Sequence, residues 1–562
     1  MLRKITSLCL TAVLLSPALM AQNTVKSFTR ADTLRGSLLP TRTWWDVQHY
    51  DLTVKPDYNS KTIIGKNIIS YKVVQPSAGK TMQIDLQNPL QIDSIILNGK
   101  KSLPFKKDGN AWHVTVPNQT VNSTHNIAIY YQGKVHEAIR APWDGGWIWA
   151  KDSLGRPWMT VACQGLGASI WFPCKDHQSD EPNKGARLTM IVPDTLVAIG
   201  NGRLQSKKNN GDGTATFIWA VNNPINNYCI IPYIGKYESF TEKYNGEKGV
   251  LDLTYWVLDY NKNIGKSYLP KEVHNTLKAF EHWFGPYPFY EDGFQMIETS
   301  HTGMEHQSAV SYGNWFKPGY RGRDGSGTGW GMKWDFIVIH ESGHEWFGNN
   351  ITTVDLADMW VHEGFTNYSE TLFVEYHFGK DAGNEYNRGV RNGIRNDKTV
   401  IPAYNVNAQG SGDMYPKPSN MLHSIRHGLN DDVLFRSIMR GLNKDFYHQM
   451  VTSKQVENYI NQKTKFNYDK VFDQYLRTTQ IPGFEFYVAA DKKSVTYRYT
   501  TCVKGFNLPI TLTDKENTLK LLPTDSWKTT KISTAQANLL TVKDIDFMYY
   551  VKPVLLTEVP TK

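Results

Sequence analysis

The chain has 562 residues, 40% hydrophobic and 20% charged, with a formal net charge of +9. That length excludes a single compact core and implies several domains of roughly 100–200 residues each. The charge is modest for so long a chain, and short basic groups such as Lys106-Lys107 and Lys207-Lys208 lie in no nucleic-acid motif, so they read as solvated faces and no nucleic-acid partner is expected. Aromatic residues make up 12%, which suits a β-rich protein with thick cores.

The amino end reads as a secretory signal, residues 1–21. Arg3 and Lys4 precede a mostly apolar stretch, Ile5 to Leu19, and Ala21 offers a small residue for cleavage before Gln22. Thr6, Ser7, Thr11, Ser16 and Pro17 interrupt the stretch, which is short for a span of about 20 residues. The expected location is therefore periplasmic or extracellular, with no stable membrane insertion after cleavage. Cys163, Cys174, Cys229 and Cys502 remain after the signal; export permits disulfides, and the sequence leaves a Cys163–Cys174 pairing open.

A polar leader occupies 22–40. From 41 to 245 the chain alternates apolar and polar residues, as in Tyr50–Val54 and Ile63–Val73, between turn signals such as Asn98-Gly99 and Lys107-Asp108-Gly109. This pattern predicts an antiparallel β domain. From 246 to 483 helical spacing dominates, with helices expected over Lys271–Phe284, Met332–Asn350, Met359–Phe378, Leu422–Leu442, Ser453–Lys463 and Lys470–Thr478. The glycine-rich run Arg321–Gly331 lacks the Gly-Lys-Ser/Thr ending of a phosphate cradle and reads as a flexible lid or linker. Residues 484–562 revert to strands, including Ser494–Thr500 and Leu508–Thr513. The fold class is multidomain α+β, a β domain followed by an α-rich domain and a small C-terminal β domain.

The segment Val338-Ile339-His340-Glu341-Ser342-Gly343-His344 carries the chemistry. One helical turn places His340 and His344 on one face, where both imidazoles can hold a single cation. Glu341 flanks that cation without ligating it, the position of a base for metal-activated water. Glu363 lies in the next helical segment and completes a set of two histidines and one carboxylate. Such a set with one open position is a catalytic zinc shell, so one Zn²⁺ per chain is expected.

The stretch His340 to Tyr368 resembles the zinc helices of the M1 aminopeptidases, the family of aminopeptidase N and leukotriene hydrolase. Its pattern H-E-x-x-H, eighteen residues, then E is met by His340, His344 and Glu363. Trp346-Phe347-Gly348-Asn349 and Trp360-Val361-His362-Glu363-Gly364-Phe365 match two flanking motifs. Gly303-Met304-Glu305-His306-Gln307 resembles the family's G-x-M-E-N, with His306 in place of Asn. The resemblance implies a thermolysin-like catalytic domain in which Gly303, Met304 and Glu305 bind substrate, Glu305 holding its free amino group. Cys163-Gln164 and Pro173-Cys174-Lys175-Asp176 match a stretch in which the Gln lines the first substrate pocket, a role carried to Gln164. Tyr415-Pro416-Lys417-Pro418 resembles the Y-x-K-G context of the oxyanion-stabilising Tyr, with Pro418 replacing Gly.

The implied function is a zinc aminopeptidase acting on peptides, with Glu341 as base and Tyr415 as oxyanion donor. An endopeptidase, a zinc hydrolase of another bond such as an epoxide, and an inactive peptide-binding protein are the alternatives.

Overall fold

The computed structural model describes residues 27–77 and 80–558. The expected signal, 1–21, lies outside the described residues. Among these residues no helix is long and apolar enough to cross a membrane.

The first domain is built on an eight-stranded sheet, in the order Arg203–Asn209, Thr214–Val221, Ala186–Pro193, Trp45–Asp57, Thr62–Val73, Thr124–Lys134, Gln91–Leu97, Lys101–Ser102. Alternation buries Val47, Tyr50, Leu52 and Val54 on one face of Trp45–Asp57, which fixes the register. Every pairing in this sheet is antiparallel except one. Trp45–Asp57 runs parallel to Ala186–Pro193, with Tyr50 opposite Ala186. A four-stranded sheet of Val197–Ile199, Tyr233–Gly235, Pro157–Ala162 and Gly146–Lys151 carries the turn that holds Gln164. Trp44, Trp45, Trp147 and Trp171 fill the core, as the aromatic content suggests.

A five-stranded sheet opens the second domain, in the order Tyr237–Gly246, Gly249–Leu258, Phe294–Glu298, Val310–Tyr312, Gly303–Met304. Its first hairpin, with Tyr237 opposite Leu258, straddles the boundary expected at 245/246. The two-residue strand Gly303–Met304 is an edge, paired only to Val310–Tyr312. The helix expected over Met332–Asn350 is much shorter, Phe336–Gly343. Asp335 caps its start by accepting from Val338 N (3.1 Å), and the chain then turns tightly through Gly348 at φ 133°. The helix expected over Leu422–Leu442 is two, Pro416–Leu429 and Asp432–Asp445. They are broken where Asn430 adopts φ 54° and Asp431 caps the next helix through Leu434 N. Trp360–Phe378 and Ser453–Thr464 lie where periodicity places them, whereas helix Lys380–Val390 is not anticipated. The glycine-rich run is not a lid. Asp324 accepts from Ser326 N and Gly329 N, and the loop packs so closely on helix Lys380–Val390 that a Cβ at Gly389 would lie 2.4 Å from Ser326 O.

The C-terminal module is a four-stranded sheet, Lys528–Lys531, Ser494–Thr500, Gly483–Val488, Lys552–Leu555, with a hairpin and two short helices. It docks on helix Pro416–Leu429: Tyr550 N donates to Ser424 Oγ (2.9 Å) and Thr511 Oγ1 to Gly428 O (3.0 Å). Cys163, Cys174, Cys229 and Cys502 are all free, so Cys163 and Cys174 are not paired.

Of the segment read as a leader, the described residues, from 27 on, form a strap between the first two domains. It forms helices Arg30–Gly36 and Pro40–Thr43. Arg35 donates to Gly165 O (3.0 Å), Ser37 Oγ to Asn405 O (2.6 Å), and Asn407 N to Asp32 O (3.2 Å). Arg42, fully buried, pairs with Asp85 at 2.6 Å, and Asp85 Oδ2 also accepts from Asp176 N (2.9 Å). Removing one partner of such a pair strands a buried charge. Arg42→Ala should therefore cost about 3–5 kcal/mol in urea unfolding, measured with Asp85→Ala and the double variant to isolate the pair.

Candidate zinc centre

His340 sits on helix Phe336–Gly343 and His344 at its C-cap, still in the helical region, so the i, i+4 pairing holds although the helix stops there. Glu363 projects from the first turn of helix Trp360–Phe378. Its Oε2 lies 3.3 Å from His344 Nε2 and 3.8 Å from His340 Nε2. The far nitrogens are occupied: His340 Nδ1 donates to Glu370 Oε1 (2.7 Å), and His344 Nδ1 to Phe347 O (3.0 Å). That leaves both Nε2 atoms as lone-pair donors facing the carboxylate. Glu363 Oε2 is buried with no hydrogen-bond donor, a costly state that a cation resolves. The donor set of two imidazoles and one carboxylate fits zinc. Burial opposes the charge of Glu363, but positive charge on the two histidines holds its carboxyl well below the usual range, a role that a bound cation would take over.

Glu341 is beside this cluster, and its Oε1 approaches residue 303 so closely that a Cβ there would lie 2.5 Å away. Gly303 is thus required by the position of the carboxylate. Burial above all, with Glu305 adding and His340 opposing, lifts the Glu341 carboxyl to about 7; a dication nearby draws it down again. Tyr415 lies where helix Pro416–Leu429 begins, its ring 6.0 Å from that of His340 at an interplanar angle of 28°. Burial, then the carboxylates of Glu363 and Glu305, push its phenol well above the usual value, keeping it a hydrogen-bond donor. Pro418 fits because it falls in the first helical turn, where N–H groups have no intrahelical acceptor. Gly364 makes room for it, since a Cβ there would meet Pro418 Cβ at 2.6 Å.

Glu305 follows the edge strand Gly303–Met304. Its Oε1 accepts from Gln164 Nε2 and from Tyr228 OH (2.9 Å), both of the first domain. Its backbone oxygen accepts from Asn349 Nδ2 (2.8 Å), so the Asn of the Trp-x-Gly-Asn motif anchors this segment. His306 turns away into the core. Tyr233 OH donates to Ala309 O (2.6 Å), so His306 Nδ1, 2.7 Å from that hydroxyl, is the donor between them. The departure from Asn is accommodated structurally, away from the cavity.

A cavity of about 440 Å³ joins these groups. Every expected site residue lines it: Gln164, Gly303, Met304, Glu305, His340, Glu341, His344, Glu363 and Tyr415. Sequence reasoning misses Tyr228, Trp143, Tyr320 and Gln409. Tyr228, which stands behind the cavity wall, lies beside Cys229 in a stretch without motif character, and only the fold brings it to Glu305.

The Peptidase family M1 domain model matches residues 273–475, and the Peptidase M1 N-terminal domain model matches 46–229. The chain belongs to peptidase family M1. Its M1 relatives include aminopeptidase N of Lactobacillus helveticus, 23% identical over 79% of this chain and 52% of that protein, and aminopeptidase B of Homo sapiens, 22% identical over 59% and 50%. The chain spans about half the length of these two proteins. Among solved structures, a mutant of the M1 zinc metallopeptidase from Deinococcus radiodurans superposes with a TM-score of 0.65 at 19% identity, covering 77% of this chain and 95% of that one. The same mutant bound to a Tyr-Ser-Ala substrate matches with a TM-score of 0.65 at 18% identity, over 77% and 94%. These likenesses show the M1 fold.

Glu370 fixes the orientation of His340 and is itself held by Tyr386 OH (2.6 Å) and Asn367 Nδ2 (3.1 Å). Glu370→Ala should weaken zinc binding by about 10–100-fold, read by competition with a chromogenic chelator, with the far-ultraviolet circular dichroism unchanged.

Proposed function

We propose that this chain is a zinc aminopeptidase that removes residues one at a time from the free amino end of peptides. The observation that carries this reading is the wall made by Gln164 and Glu305 at one end of the zinc cavity, with Tyr228 behind it donating to Glu305 Oε1. Gln164 and Tyr228 also border a pocket of about 30 Å³, lined by Arg35 and Gly36 of the strap and by Val406 and Asn407. That space is about one water's worth, which supports a closed end beyond Glu305. No ion pair neutralises the Glu305 carboxylate among the described residues, which suits it to a substrate ammonium.

Bound zinc would supply Lewis acidity at the scissile carbonyl and lower the pKa of water towards about 7. The chain's own groups do the rest. Glu341 takes the proton of the attacking water and passes it to the leaving amine. Tyr415 donates to the oxygen on which negative charge develops, a type of contact worth about 2.7–4 kcal/mol. The outer edge of Gly303–Met304 offers unpaired backbone groups along which an extended peptide can lie. The signal-like start supports an exported, periplasmic or extracellular enzyme.

Two measurements test the reading. Free aminoacyl amides should be cleaved and their N-acetylated forms should not, because the acetyl group removes the charge that Glu305 meets; equal turnover of both would make the enzyme an endopeptidase. Glu341→Gln should keep its zinc and lose about 10²–10⁴-fold in kcat.

A further inference from the structure

The loop between strands Thr124–Lys134 and Gly146–Lys151 carries two exposed apolar side chains, Ile139 (89% exposed) and Trp143 (72%). Single exposed aliphatics are ordinary; an indole held out at the rim of a reaction cavity calls for a partner. Trp143 and Pro142 both line the zinc cavity.

Hydrogen bonds fix the backbone of the loop that carries Trp143. Asp144 Oδ2 accepts from Ile139 N (2.8 Å) and Arg140 N (2.6 Å), while Trp143 N donates to Arg140 O (3.1 Å) and Gly145 N to Pro142 O (3.1 Å). Ala138 and Ala141 pack with Ile148 on Met304, the residue preceding Glu305. At the other end, Gly145 is so near the Gln164 turn that a Cβ there would lie 3.0 Å from Leu166 Cδ1. Both anchors are on the Glu305 side of the cavity, where the proposed function places the substrate's amino end.

We propose that Trp143 determines specificity for the first substrate residue, its indole covering a large apolar or aromatic side chain. This rests on the aminopeptidase reading and names its substrate class. Three features favour an apolar side chain over a charged one. The neighbouring wall is Pro142 and Met304. Among the described residues no Lys or Arg lines the cavity, so an acidic first residue has no partner there. The cavity's carboxylates, Glu305, Glu341 and Glu363, are assigned to the amino group, the water and the metal, leaving none for a basic one.

The test compares kcat/KM on Phe, Leu, Ala and Arg aminomethylcoumarins at equal zinc content. Trp143→Ala should lose about tenfold on Phe and Leu and stay within about twofold on Ala and Arg, with Trp143→Phe recovering most of the loss. A uniform loss, no loss, or a loss confined to Arg would overturn the assignment; the last would make the indole a cation platform. The same preference should appear without turnover. Glu341→Gln should bind Phe-Ala more tightly than Ala-Ala, and adding Trp143→Ala should erase the difference. Wild-type protein that cleaves nothing while Glu341→Gln keeps this preference would sink the aminopeptidase reading alone.

Discussion

Three carboxylates, Glu305, Glu341 and Glu363, are buried around one small volume with two histidines. Such a cluster is electrostatically unfavourable by itself, because like charges in a low-dielectric pocket repel and each loses its hydration. A divalent cation reverses that balance, and the surrounding structure is arranged so that it can enter. Glu370 and Phe347 O bind the outer nitrogens of His340 and His344, aiming the inner ones at Glu363 Oε2. Asp335 starts the helix that carries both histidines, and Gly303 leaves space for the Glu341 carboxylate. The charge cluster sets what each neighbour must be.

The cavity is shared between domains. The second domain supplies His340, Glu341, His344, Glu363 and Tyr415, while the first supplies Gln164 and Trp143, with Tyr228 behind Glu305. Under the proposed function, the first domain's wall is what restricts the site to chain ends. The motif residues not lining the cavity have physical work in that closure. Asn349 holds Glu305 through its backbone oxygen, and Gly364 admits Pro418 beneath Tyr415.

Much of this is legible in the sequence. His340, Glu341, His344 and Glu363 are recognisable because metal chelation demands particular residue types at helical spacing, and helix Trp360–Phe378 follows from apolar periodicity. The length of the zinc helix is not legible. Its apolar residues continue to Phe347, but Gly343 and Gly348 and the tertiary bonds of the turn end it early. The parallel pairing of Trp45–Asp57 with Ala186–Pro193 joins segments far apart in sequence, and alternation cannot tell a parallel neighbour from an antiparallel one. Tyr228 and Trp143 have no local signature at all, since their positions are set by contacts between distant segments. The leader is missed for a different reason: Arg35 within it and Arg42 just beyond it look solvated in sequence yet find buried partners.

That strap has a practical bearing on how the protein is handled. Arg35 holds the carbonyl of Gly165, next to Gln164, while Ser37 and Asp32 hold the 405–407 loop that leads towards Gln409 and Tyr415. Both margins of the cavity are therefore tied to a short stretch at the amino-terminal side of the first domain. A preparation trimmed past Arg35, whether by a protease during purification or by a cautious choice of cloning boundary, would keep its zinc helices and its two large cores. It would present a peptide with a loosened doorway, and its kinetic constants would describe the trimming as much as the enzyme.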